Sequence, residues 1–132
     1  MIVADTNVIA YLVLESPYTA LAADLYARDP EWAVLLLWRS ELRSVLIHYV
    51  RQGHLSLSQA LRIQGEAEEV FGEHEYHVPS PEVLRLSAES GCSPYDCEFV
   101  ALAHALGVPL IAMDRKLHAA FPETSRLLDP SR

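Results

Sequence analysis

The sequence predicts an α/β fold built on a mostly parallel sheet, and three observations carry that expectation. Short apolar runs of strand length alternate along the chain with longer segments of helical period. The runs at 33–37 and 109–113 are apolar throughout, the pattern of strands covered on both faces. Two runs lead into an aspartate, Asp5 and Asp114, placing both acids at carboxyl ends of strands, where such sheets bind ligands.

In order, Ile2-Val3-Ala4 reads as a short buried strand and residues 7–14 as a short helix. Pro17 opens a second helix reaching about residue 28, with Ala20, Leu21, Leu25 and Ala27 near helical period. The run 33–37 is the next strand. Residues 40–51 form a helix with apolar Leu42, Val45, Leu46, Tyr49 and Val50, ended by Gly53. A further helix covers 57–71, softened at Gly65, and a short strand follows at 75–78. Residues 81–90 make a helix closed by Gly91, and Ser93-Pro94 starts another that runs to Leu106 and is closed by Gly107. The strand 109–113, a short helix at 115–121 and an edge strand at 126–128 complete the chain.

A length of 132 residues fits one domain over 1–132, and no repeat, linker or low-complexity stretch divides it. Hydrophobic residues make up 51% of the chain, too many for a disordered segment. The longest apolar run, at 32–38, is too short to span a membrane, and the amino-terminal residues lack the pattern of a secretory signal. A soluble, cytoplasmic protein is therefore expected. Cys92 and Cys97 match neither a redox nor a zinc spacing and read as reduced, packed thiols. The net charge of −8, from 18 acids against 10 bases, excludes a long electrostatic footprint on nucleic acid. It leaves room for a site that holds phosphate through cations.

Four acids stand at strand ends or helix starts: Asp5, Glu41, Asp96 and Asp114. Each has a local alternative. Asp5 and Asp114 are placed to cap the helices that follow them, and Glu41 is placed to complement a helix N-terminus. Ser93-Pro94-Tyr95-Asp96 fits a capping box. Glu41, however, shares a helical stripe with Trp38, Val45 and Tyr49 and so faces the interior or a cleft. If the four converge, like charges about 5 Å apart repel by roughly 3 kcal/mol per pair at an effective dielectric near 20, so a cation would be needed among them. Magnesium or manganese suits an all-oxygen site.

At these residues the chain resembles the PIN-domain ribonucleases, and especially the VapC-type toxins of toxin–antitoxin pairs. Val3-Ala4-Asp5-Thr6-Asn7-Val8 resembles the family's opening strand and Asp-Thr-Asn, and Ser40-Glu41-Leu42 its helix-borne glutamate. Ser93-Pro94-Tyr95-Asp96 with the apolar 99–103 resembles the third acid and its helix, and Leu110-Ile111-Ala112-Met113-Asp114 the final strand and fourth acid. The resemblance spans nearly the whole chain. It implies a PIN-like three-layer α/β/α sandwich, Mg2+ or Mn2+ held by the four acids as catalytic residues, and endonucleolytic hydrolysis of RNA leaving a 5′-phosphate. It also implies a homodimer inhibited by a small antitoxin.

Two departures stand out. Ala112 replaces the Thr or Ser often found two residues before the fourth acid, and Lys116 and Leu117 stand where a further acid is common. Thr6 and Asn7 are candidate supports for the first acid, and Arg115 and Lys116 candidate contacts to substrate phosphate. The rival from another class is a PIN-like binding module with little catalysis. An aspartyl-phosphate phosphatase is disfavoured by Asn7, which stands where a second aspartate is needed. The acids between 65 and 77 read as a solvated face.

Overall fold

In the computed structural model, which describes residues 1–128, five strands form one sheet in the order β3-β2-β1-β4-β5, and every pairing is parallel. The strands are β1 (Ile2–Ala4), β2 (Trp32–Leu35), β3 (Glu75–Tyr76), β4 (Leu110–Ala112) and β5 (Ser125–Leu127). Around them lie α1 (Thr6–Val13), α2 (Thr19–Arg28), α3 (Trp38–Arg51), α4 (Leu57–Phe71), α5 (Ser80–Ser90), α6 (Pro94–Leu106) and α7 (Arg115–Ala120). The domain expected over 1–132 runs past the described residues, since 129–132 lie outside them.

Strand periodicity explains the layers. Alternate side chains point to opposite faces, so Ile2, Ala4, Trp32, Val34 and Ile111 pack on one side with α1 to α4. Val3, Ala33, Leu35, Leu110 and Ala112 pack on the other against α5, α6 and α7. Because both of their faces are buried, β1, β2 and β4 carry apolar residues at every position, which is why their sequence runs are unbroken, whereas the edge strands β3 and β5 are mixed. The result is the expected three-layer α/β/α sandwich.

Strand order places the site. The chain leaves β1 for β2 and β3 on one side, then crosses to β4 and β5 on the other. The order therefore reverses between β1 and β4, and a ligand crevice opens beyond their carboxyl ends. Asp5 directly follows β1, and Asp114 lies two residues beyond β4.

Several boundaries differ from expectation, the strand expected at 75–78 ending at Tyr76 among them, and three of the shifts are instructive. The second helix begins at Thr19, not Pro17, because a Ser16–Thr19 turn intervenes. There the Ser16 N–H donates to Thr19 Oγ1 at 2.9 Å, and that hydroxyl donates to the Leu14 carbonyl at 2.7 Å. Strand β2 stops at Leu35, since Leu37 adopts a helical backbone and α3 starts at Trp38, two residues early. Leu36 and Leu37 are consequently exposed, at 54% and 43%. Strand β5 is shifted by one residue, and Leu128 is buried just outside it.

An ion-pair network anchors the first turn of α3. Arg39 binds Glu75 through Nε at 2.7 Å and Nη2 at 3.1 Å, and Glu68 through Nη1 at 3.0 Å. The Trp38 indole donates to the same Glu75 carboxylate at 2.7 Å. Hydrogen bonds from Arg39 hold the Glu75 carboxyl below its ordinary range. Trp38 itself is fully buried against Phe71, whose ring stacks on Trp32 at 5.6 Å. The turn that carries Glu41 is therefore fixed from both sides.

Candidate active site

Asp5 is the centre of the site. Its backbone N–H continues the β1–β4 ladder to the Ile111 carbonyl at 3.1 Å, and its carboxylate caps α1 by accepting the Asn7 N–H at 3.1 Å. The capping alternative is thus real, but it does not exhaust the residue. Burial pushes the Asp5 carboxyl up to about 6, and the charges of Glu41, Asp96 and Asp114 push it the same way against the opposing Asn7 bond. All three other acids are close enough for their fields to act on this one side chain.

Glu41 projects from the first turn of α3. Its Oε1 accepts a bond from the Thr6 hydroxyl at 2.7 Å, across 35 residues of sequence, and Thr6 is only 5% exposed. The two expected supports therefore divide their work: Thr6 holds the second acid, while Asn7 holds the first through its backbone. A cleft of about 480 Å³ is walled by Asp5, Thr6, Asn7 and Glu41 and, farther along α3, by Ser44 and His48.

Asp96 sits in the first turn of α6, where its N–H donates to Ser93 Oγ at 3.1 Å. Among the described residues its carboxylate returns no bond to Ser93, so the capping box is half-formed and the acid stays available. Asp114 caps α7, its carboxylate accepting the Leu117 N–H at 3.1 Å. Arg115 and Lys116 follow, exposed and without an ion pair among the described residues.

Convergence has a limit. Asp5 and Glu41 share one cleft, while Asp96 and Asp114 reach Asp5 through charge rather than by lining that cleft. Among the described residues no three His, Cys, Asp or Glu side chains stand close enough to clasp an ion as they are placed. A cavity of about 750 Å³ between α2 and β5 contains none of the four acids.

The donor set still fits a hard divalent cation. It is all carboxylate oxygen, and the Asp5 carboxyl, raised first by burial and then by the repulsion of Glu41, Asp96 and Asp114, would be returned to its charged form by a bound positive charge.

Two further residues escaped the sequence reading. Glu98, on α6, is raised by burial and by the charge of Glu41, so it belongs to the same field. Its signal was an acid set directly before the buried run 99–103. His48 extends the Glu41 wall, and its signal was the seven-residue spacing that returns to one helix face.

The PIN domain family model matches residues 2–121. The chain is 28% identical over 124 residues to Ribonuclease VapC3 of Pyrobaculum aerophilum, covering 92% of this chain and 95% of that protein. The fold is similar to a crystal structure of PAE2754 from Pyrobaculum aerophilum, with a TM-score of 0.75, 23% identity and coverage of 96% of this chain and 83% of the other. It is also similar to a toxin–antitoxin complex from Klebsiella pneumoniae, with a TM-score of 0.71, 15% identity and coverage of 98% of each chain. FitAcB from Neisseria gonorrhoeae gives a TM-score of 0.71 at 15% identity, covering 100% of this chain and 99% of that one. With its family match running from the first strand through the last helix, the chain belongs to the PIN domain family.

Proposed function

We propose that this protein is a divalent-metal-dependent endoribonuclease that hydrolyses RNA phosphodiester bonds, and that it is the toxin of a toxin–antitoxin pair. The observation that carries the reading is the Asp5 carboxyl, half-buried at the strand-order switch and raised first by desolvation and then by the charges of three other acids. Similarity to a protein named as a VapC ribonuclease supports the RNA substrate, and fold similarity to a toxin–antitoxin complex accords with a small antitoxin partner. The buried free cysteines Cys92 and Cys97 suit a reducing cytoplasm. Among the described residues no helix is long and apolar enough to cross a membrane. By resemblance the protein acts as a homodimer.

In this reading Asp5, Glu41, Asp96 and Asp114 are the residues that hold Mg2+ or Mn2+. When bound, such an ion supplies Lewis-acid polarisation of the phosphate and acidifies water. The chain's own residues do the rest. Thr6 fixes the Glu41 carboxylate in one orientation, and the Arg39–Glu75 pair fixes the turn beneath it. A carboxylate in the cluster takes the proton of the attacking water as its oxygen joins phosphorus. The bond from phosphorus to the 3′ oxygen breaks and that oxygen takes a proton from solvent water, leaving a 5′-phosphate and a 3′-hydroxyl. Arg115 and Lys116, exposed beside Asp114, contact flanking phosphates.

The test is cleavage of a structured RNA by purified protein with Mg2+ or Mn2+, with Asp5→Asn and Asp96→Asn as controls. Ion-dependent cleavage by the wild type alone supports the reading. Equal activity in all three proteins removes these acids from the mechanism.

A further inference from the structure

The cleft that holds Asp5 and Glu41 adjoins a second hollow, and the residue they share is His48. The second hollow has a volume of about 670 Å³ and lies where the carboxyl ends of α1 and α3 meet, between Leu14 and Gln52. Its polar walls are largely aromatic. The His48 and Tyr49 rings lie 6.4 Å apart and Tyr49 and His54 6.2 Å apart, both edge to face. Burial, and after it neighbours that include Asp5, raises the Tyr11 hydroxyl on α1, and its ring lies 4.9 Å from that of Tyr18. An aromatic strip thus starts beside the carboxylates and leads away from them.

Tyr11 and Tyr49 pack in part against the core, but packing does not account for the two histidine rings beside them. His48 and His54 are exposed, and Tyr49 is only half-buried. Glu41 and His48 are seven residues apart on α3, about 10 Å along one helix face at 1.5 Å per residue. That distance sets His48 a nucleotide or two from a phosphate held at the acids.

The lining chemistry selects among occupants. Among the described residues no lysine or arginine lines either hollow, and the Glu15 carboxylate stands in the second. A phosphate group would be repelled there. Flat π faces beside the Gln52 amide instead suit a neutral, planar, hydrogen-bonding group, which is what an unstacked nucleobase presents. Stacking also answers the problem posed by a net charge of −8, because it binds RNA without a basic surface.

Resting on the ribonuclease reading, we propose that His48, Tyr49 and His54 form a stacking subsite for an unpaired base adjoining the scissile bond. The substrate is therefore single-stranded at that position, since a paired base keeps its faces inside the duplex.

The experiment uses a short single-stranded RNA of mixed sequence carrying the fluorescent base 2-aminopurine, with EDTA present so that nothing is cut. The wild type quenches the fluorophore on binding, and the blunt duplex made from the same strand gives no quench. The double variant His48→Ala, His54→Ala changes exposed residues only. It should bind the strand about tenfold or more weakly, with the quench lost, while His48→Phe with His54 intact retains both. Equal affinity and quench in the double variant, or a quench as large with the duplex, overturns the proposal. So does unchanged RNA binding joined to lost capture of a co-expressed partner polypeptide, which would assign the hollow to protein. Cleavage of the same strand by the wild type in Mg2+ is measured in parallel. Cleavage without quenching sinks the subsite alone, and quenching without cleavage sinks the nuclease reading while leaving base binding intact.

Discussion

Replacing Asp5 with asparagine should make the metal-free protein more stable at neutral pH, although it disables the site. Asparagine keeps the shape and an oxygen that can accept the Asn7 N–H now held at 3.1 Å, so the helix cap survives. What is lost is a charge that burial and three neighbouring acids oppose. The folded carboxyl is held at about 6 against an ordinary value of 3.8. Between those values the folded state binds more protons than the unfolded chain, so stability falls as pH rises through that window and is level above it. At about 1.4 kcal/mol per unit, the penalty above the window approaches ~3 kcal/mol. Allowing for relaxation around the site, Asp5→Asn should gain about 1–3 kcal/mol at pH 7.5, a rise in Tm of roughly 3–10 °C for a chain of this size. Below about pH 3.5 the gain should vanish, because the carboxyl is then protonated in the folded and the unfolded wild type alike. The assay is thermal or urea unfolding in EDTA at several pH values. A variant that melts at or below the wild type at pH 7.5, or a difference that ignores pH, would refute the reasoning and return Asp5 to a simple cap.

Other outcomes follow from the same geometry. Thr6→Val removes the 2.7 Å bond to Glu41 without changing volume, and kcat should fall about tenfold with little change in Tm, while Thr6→Ser restores activity. Gly72→Ala would drive a methyl into the Glu68 carbonyl and against Arg39 Nη2, so the α4 end should shift and Tm should drop by an amount equivalent to about 1–3 kcal/mol. Phe71→Ala leaves a void among Trp32, Trp38 and Tyr26 and should cost about 3–5 kcal/mol in urea unfolding. Added Mg2+ or Mn2+ should raise the Tm of the wild type in proportion to its binding and leave Asp5→Asn nearly unmoved.

Much of the fold was legible because its three central strands are parallel and doubly covered. Ile2–Ala4 and Leu110–Ala112 have no polar position, and Gly91 and Gly107, at φ 76° and 67°, mark two helix ends through a conformation that other residues resist. Where boundaries slipped, tertiary or loop chemistry outweighed local pattern. Nothing in Leu36-Leu37 announces that a strand gives way to a helix two residues early, since two leucines suit either state. The four acids were legible as types at strand and helix ends. Their coupling was not, because the Thr6–Glu41 bond and the field on Asp5 join residues that are distant in sequence. Glu98 was hidden for the same reason, as its tie to Glu41 crosses from α6 to α3.

The central claim is that Asp5, Glu41, Asp96 and Asp114 act as one cation-binding centre. Calorimetric titration of the purified protein with Mn2+ tests it most directly, comparing the wild type with the four single amide variants. Binding by the wild type that each of the four substitutions sharply weakens is the expected result. Binding that survives all four changes, or none in the wild type at millimolar ion, would contradict it.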